Sequence, residues 1–194
     1  MLALMVADAS RPTPFDVLRR HWTLLRADAA RWVVPQAVSP IESVTLPTLA
    51  RLLLRHPPLR AMGWLRLAAA LRRIGIPGVS GWAQRRLLRV YGLELAPSQD
   101  IGGGLYIAHP VGCVLMAEHI GSNVTVISNV TFGTRDDARW PVIGDDVFVG
   151  VGARILGGIT IGEGCRIGAN AVVLGDVPAG CTAVGIPATV RSPR

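Results

Sequence analysis

From Ile143 onward a branched aliphatic residue returns every six positions: Ile143, Val149, Ile155, Ile161, Ile167 and Val173. Four positions after each stands a second small or aliphatic residue: Val147, Ala153, Ile159, Cys165, Ala171 and Val177. Gly takes the second place in four of these hexads, as Gly144, Gly150, Gly162 and Gly168. A period of six is neither the helical period nor a simple alternation. It predicts a coil with a short strand on each of three flat sides and a turn at each corner. Successive coils should then stack ~4.8 Å apart, as paired strands do. The aliphatic residues would fill the prism, and the glycines would relax the backbone at the corners.

The same pattern reaches back along the chain. Ile101, Ile107 and Cys113 head three earlier hexads, with Leu105, Val111 and Ala117 as second inward residues. Ile120, Val126 and Phe132 head the next three, with Val124 and Val130 inside. One residue is inserted at His119, and the register then slips after Phe132 until Ile143. An insertion cannot sit inside the prism, so a loop at about 133–142 is expected to bulge from it. Loops on rigid scaffolds often carry function. The repeat ends at Pro178, and a C-terminal tail follows.

Before the coils the pattern is helical. Thr13, Pro14 and Asp16 read as a helix start, with Thr as cap and Asp three residues on. A helix is predicted to about Trp32, with Leu18, Trp22 and Leu25 as its apolar stripe. A short helix follows over 48–56, ended by Pro57-Pro58. A longer one spans 59–74, and a last one, capped by Ser80, runs to Val90 and stops at Gly92. Residues 1–12 read as loose, and the apolar run 1–9 is a poor secretory signal, being short and without preceding positive charge. No run approaches the ~20 apolar residues of a membrane span. The expectation is an α+β chain: a basic α-helical N-terminal region over 1–92, then a parallel β-helix over 93–194 with its protruding loop and tail.

Charge changes the picture of the front. All 20 basic residues are Arg. Residues 1–92 hold fourteen Arg against four acids, and 93–194 hold six against nine. Such a front suits a membrane surface, nucleic acid or an acidic polymer. It equally suits Arg faces that meet water or neighbouring helices. Cys113, Cys165 and Cys181 show no metal-ligand spacing. Two of them fall on inward positions as small hydrophobes, which fits a reducing cytoplasm without disulfides.

Stacking the hexads places His109, Ser128, Val151 and Ala169 in one column. That arrangement describes a groove wall with a base at its foot, although a lone surface His would look the same. Glu94 precedes the first coil and lies within reach of His109 if the chain curls under. A carboxylate behind an imidazole fixes its tautomer and stabilises the imidazolium. Arg139, in the loop, is a cation that could hold an anionic acceptor, or an ordinary exposed Arg.

Residues 92–190 resemble the hexapeptide-repeat acyltransferases, and most of all their serine O-acetyltransferase branch. The matching text is Glu94-Leu95-x-Pro97, Ile107-x-His109, Val130-Thr131-Phe132-Gly133, Arg139-x-Pro141-x-Ile143-Gly144, Asp176-Val177-Pro178 and Gly185-x-Pro187-Ala188. The resemblance implies a left-handed β-helix and acetyl-CoA as co-substrate, with no metal. It implies His109 as general base and Glu94 in the place of the family's Asp partner. It implies a donor groove between subunits of a homotrimer or dimer of trimers. Thr131, Gly133, Gly150, Val151, Gly152, Gly168, Ala169 and Arg191 would line that groove. Arg139 and Trp140 would meet the acceptor.

Two positions depart from the serine enzymes: Ala108 stands where they carry Asp, and Trp140 where they carry a second His. Both family residues help hold serine's charged ends. Together with the short front, these departures favour a saccharide or exopolysaccharide hydroxyl over L-serine. L-Serine O-acetylation in cysteine biosynthesis and a non-catalytic β-helix scaffold are the alternatives. A metal-dependent hydratase would need several His at an interface, and only His109 and His119 lie in the repeats. The expected location is the cytoplasm, with the basic helices as the surface that could touch the inner membrane face. Nucleic acid is not an expected partner.

Overall fold

The computed structural model describes residues 12–34, 37–136 and 138–192. The readings of residues 1–11 and of the break at Pro35 lie outside them.

Thr13 opens α1 (Pro14–Val33) with a full capping box. Its hydroxyl accepts from the Asp16 N–H, while the Asp16 carboxylate accepts from the Thr13 N–H, both at 3.2 Å. The buried stripe of α1 is one residue off the predicted one. It comprises Val17, His21, Asp28 and Arg31 with Ala29, Ala30 and Trp32, while Leu18 and Trp22 are exposed. α2 (Leu46–Arg55) starts earlier than expected because Thr45 caps it and Pro47 fits its first turn. The two prolines read as a stop instead open α3 (Pro57–Arg73). α4 (Val79–Tyr91) starts at Gly78, in the left-handed region and without a side-chain cap, so Ser80 does not cap it. It ends at Gly92, also left-handed, as the sequence indicates.

The chain then winds into three-sided coils. The first face stacks Leu93–Glu94, Cys113–Leu115, Thr131–Gly133, Arg154–Leu156 and Val172–Val173. The second stacks Asp100–Ile101, His119–Ile120, Val142–Ile143 and Thr160–Ile161. The third stacks Tyr106–His109, Thr125–Ser128, Phe148–Val149, Arg166–Ile167 and Thr182–Gly185 in parallel. Ala188–Arg191 adds to the third face as an antiparallel edge strand. Register follows the hexads: Ile107 lies over Val126, Val126 over Val149, and Val149 over Ile167. Ile120 over Ile143 absorbs the loop insertion.

Phe132, Ile143, Val149, Ile155, Ile161 and Ile167 are wholly buried in the prism. Ile159 is only partly buried, and Val111 departs furthest. It is 70 % exposed, because Pro110 turns the corner first and is itself buried.

The second-place glycines serve a purpose other than the predicted one. Gly144 does not adopt positive φ. A Cβ there would lie 2.8 Å from the Glu163 nitrogen in the next coil. The coils approach so closely along this line that only hydrogen fits. Backbone freedom is used elsewhere on the corners, where Asn123, Asn129, Asp146 and Asn170 take left-handed φ.

The helices pack on the first coil through a core continuous with the prism. Two arginines fasten them. Arg66 of α3 donates to the Ile101 and Gly102 carbonyls at 2.8 and 2.5 Å. Arg31 of α1 donates to the Gly104 and Asn123 carbonyls and to the Thr125 hydroxyl. Part of the basic front is therefore turned inward. No helix among the described residues is long and apolar enough to cross a membrane.

Candidate active site

The third and first faces meet along one corner, and much of the predicted chemistry gathers there. Ile107 points into the prism and is buried, and two residues on His109 is exposed at the strand end. His109 pairs in register with Ser128, and the register of the next strands, Val126 over Val149 over Ile167, brings the turn residues Val151 and Ala169 into line beyond them. Ser128 is half-buried, while Val151 and Ala169 are exposed. The column read from the hexads thus exists as an open wall of small side chains above one imidazole. Arg191 stands at the far end of the same face, opposite Thr182 on the edge strand.

Glu94 enters from the other side of that corner. It is the exposed residue of its strand and lies beside Val114, five residues past His109. No hydrogen bond or ion pair joins the two within one chain among the described residues; the exposed side chains flank the Pro110–Gly112 turn. Thr131, half-buried, lies one coil above Val114 and next to Arg154, and Gly133 lies opposite Leu156.

The corner backbone is largely committed to its own ladder. Gly150, Gly152 and Gly168 donate their N–H groups to Ile167, Ser128 and Ala183 carbonyls at 2.8–2.9 Å. Those three glycines can shape a groove but do not offer it these donors. Arg154, which the sequence reading passed over, fixes the same corner. Its guanidinium donates to the carbonyls of Asn129, Gly152 and Ala153. Its outward place in a hexad gave no signal, since any exposed residue fits there.

Arg139 and Trp140 lie elsewhere. Their loop leaves after Thr131–Gly133 and returns at Val142, so it emerges where the first face turns into the second. The Arg139 side chain lies across Gly158, where a Cβ would meet its own Cβ at 2.6 Å. With Arg135, Asp136, Leu156 and Leu174 it borders a shallow cleft that His109 does not reach. Within a single chain Arg139 therefore does not share the corner of His109 and Glu94. The insertion enters the winding one corner later than the column. His119, the other repeat histidine, pairs with Asp100 at 2.8 Å on the second face.

Cys113, Cys165 and Cys181 are buried free thiols. Burial pushes the Cys113 and Cys165 thiols up, which makes them poor nucleophiles.

Known proteins are similar to this chain in sequence and fold. A family model described as bacterial transferase hexapeptide (six repeats) matches residues 141–175. A serine acetyltransferase from Helicobacter pylori is 40 % identical over 140 residues, covering 70 % of this chain and 82 % of that protein. A serine acetyltransferase from Bacillus subtilis is 46 % identical over 103 residues, 51 % of this chain and 48 % of its own length. Among solved structures, soybean serine acetyltransferase complexed with serine has a TM-score of 0.72 at 36 % identity, covering 90 % of this chain and 70 % of that one. The Vibrio cholerae enzyme reaches 0.78 at 27 %, covering 93 % and 69 %. The hexad register, the helices in front of a left-handed β-helix and these likenesses agree: the chain is an acyltransferase and belongs to the hexapeptide-repeat transferases, in their serine acetyltransferase-like branch.

Proposed function

We propose that this chain transfers the acetyl group of acetyl-CoA to the hydroxyl of L-serine. The carrying observation is the exposed His109 at the foot of an open wall of small residues, in a chain whose relatives are serine acetyltransferases. His109 takes the hydroxyl proton, and the oxygen attacks the thioester carbonyl carbon. The tetrahedral adduct collapses with loss of the C–S bond, and the imidazolium returns its proton to the thiolate. A backbone N–H near Gly133, at the edge where the loop leaves, serves as the oxyanion donor only with a neighbouring copy in place. Glu94, across the Pro110–Gly112 turn from His109, is the carboxylate assigned to hold the imidazolium. Thr131, Gly133, Val151 and Ala169 line the donor groove over the Gly150, Gly152 and Gly168 backbone, with Arg191 toward the nucleotide end.

A homotrimer supplies what one chain lacks. Arg139 and Trp140 sit at the opposite edge of the first face from His109. They reach a common site only when a neighbouring copy brings its loop to this corner. The donor and the buried free thiols suit the cytoplasm.

Ala108 and Trp140 favour a second reading in which the acceptor is a saccharide hydroxyl. Neither residue can pair with serine's charged ends, and an indole can stack on a sugar ring. Thiol release from acetyl-CoA, measured with L-serine and a panel of sugars, separates the two. Turnover of serine well ahead of every sugar supports the first reading, and the reverse order replaces it with the second. Thiol release with neither acceptor class overturns the transferase chemistry assigned to this corner.

A further inference from the structure

His21 in α1 is 8 % exposed, yet neither ring nitrogen has a hydrogen-bond partner among the described residues. Buried polar atoms of native proteins are nearly always paired, so an orphaned ring asks for one. The ring borders a small recess with Arg20, Arg66 and Arg73. Arg66 is held by Asp28, while Arg20 and Arg73 have no acidic partner among the described residues. The one acid bordering the recess, Asp100, is engaged by His119 at 2.8 Å. The recess is therefore cationic, with charge to spare, and holds an imidazole able to donate one N–H.

His21 and Arg66 also border a second cavity, an open groove of about 490 Å³ between α1 and α3. That volume falls within the range of about 300–1,000 Å³ usual for small-ligand sites. Its walls are apolar: Leu18, Trp22, Leu25, Trp64 and Leu67. Leu18, Trp22 and Leu67 are each more than 40 % exposed, so water now covers a surface the protein would gain by burying. The apolar groove and the small cationic recess thus share His21 and Arg66 in their walls, and His21 is the unpartnered one of the two.

We propose that this groove binds a single-chain amphiphile with an anionic head group, its tail along Leu18, Trp22 and Leu67 and its carboxylate or phosphate at His21, Arg20 and Arg73. The head accepts from the imidazole N–H and offsets the two guanidiniums, and the tail covers the exposed apolar wall. This site is built from the helices and does not depend on the reaction assigned to His109.

The test is titration of the full-length protein with dodecanoate and dodecyl phosphate below their micelle concentrations, read by calorimetry and tryptophan fluorescence. One ligand per chain is expected. Dodecanol and inorganic phosphate, which each carry half of the ligand, should bind at least about tenfold more weakly. Arg73→Gln and Leu67→Asn, both at exposed positions, should each weaken dodecanoate binding about tenfold while leaving thiol release unchanged. Four outcomes overturn the proposal. They are no saturable binding of either amphiphile, equal affinity in both variants, association only with anionic vesicles, and a self-association that Leu67→Asn abolishes while dodecanoate leaves it untouched.

Discussion

Arg66 clasps Asp28 with two hydrogen bonds, Nε to Oδ2 at 2.8 Å and Nη2 to Oδ1 at 3.0 Å, and both side chains are buried. The same carboxylate accepts from the Leu105 N–H, and the same guanidinium donates to Ile101 and Gly102 carbonyls. One pair thus joins α1, α3 and the first coil. Burial pushes the Asp28 carboxyl up, and Arg66 pulls against that shift. Removing one partner leaves an uncompensated charge inside the protein. Arg66→Ala should cost about 3–5 kcal/mol, and thermal unfolding checks it. A loss under about 1 kcal/mol would match an exposed pair and contradict the fastening role.

His109 is exposed and makes no side-chain hydrogen bond among the described residues, so its replacement should spare the fold. His109→Ala is expected to reduce acetyl transfer about 10²–10⁴-fold with an unchanged melting temperature. Glu94→Gln should cost less, since it acts through the imidazole. Rates with saturating acetyl-CoA measure both. A Glu94→Gln defect equal to that of His109→Ala would reverse the assigned roles.

Stacking along the second face gives a prediction about packing alone. A Cβ on Gly144 would lie 2.8 Å from the Glu163 nitrogen and 3.0 Å from the Gly162 carbonyl carbon. Both neighbours are backbone and cannot swing aside. Gly144→Ala should therefore destabilise by about 1–3 kcal/mol, lowering the melting temperature by roughly 2–4 °C per kcal/mol in a chain of this size. Gly175 has nothing within 4 Å of its would-be Cβ and ordinary φ. Gly175→Ala serves as the neutral control. Equal melting temperatures for the two variants would refute the close-approach argument.

The coil region was legible because its rule is local. Six positions separate each inward residue from the next, and a column such as His109–Ser128–Val151–Ala169 follows by counting. Counting fails where a corner is distorted, as at Val111, where Pro110 takes the buried place. It also fails wherever partners are chosen by packing rather than by period. Asp28 and Arg66 lie 38 residues apart on different helices, and neither hydrophobicity nor spacing marks them as a pair. The Arg count showed a basic front without showing that Arg31 and Arg66 face the first coil. The loop was visible as a slip in register. The edge from which Arg139 leaves became clear only once each strand had a face.

The last prediction concerns acid. An exposed histidine ionises near 6.5, but His21 is lowered to about 4, first by burial and then by the positive charge of Arg66, Arg73 and Arg20. Between those two values the unfolded chain carries a proton at this position that the folded chain does not. Stability from His21 is therefore full above about pH 6.5 and is lost as pH falls toward 4. The melting temperature should decline through that window. His21→Gln keeps a polar group of similar reach and cannot ionise, so its decline should be shallower than that of the wild type. The difference between the two curves isolates His21 from the carboxylates that titrate at the lower end. Parallel curves across the window would show that the folded protein takes up this proton as readily as the unfolded chain, contrary to the burial and positive field described for the ring.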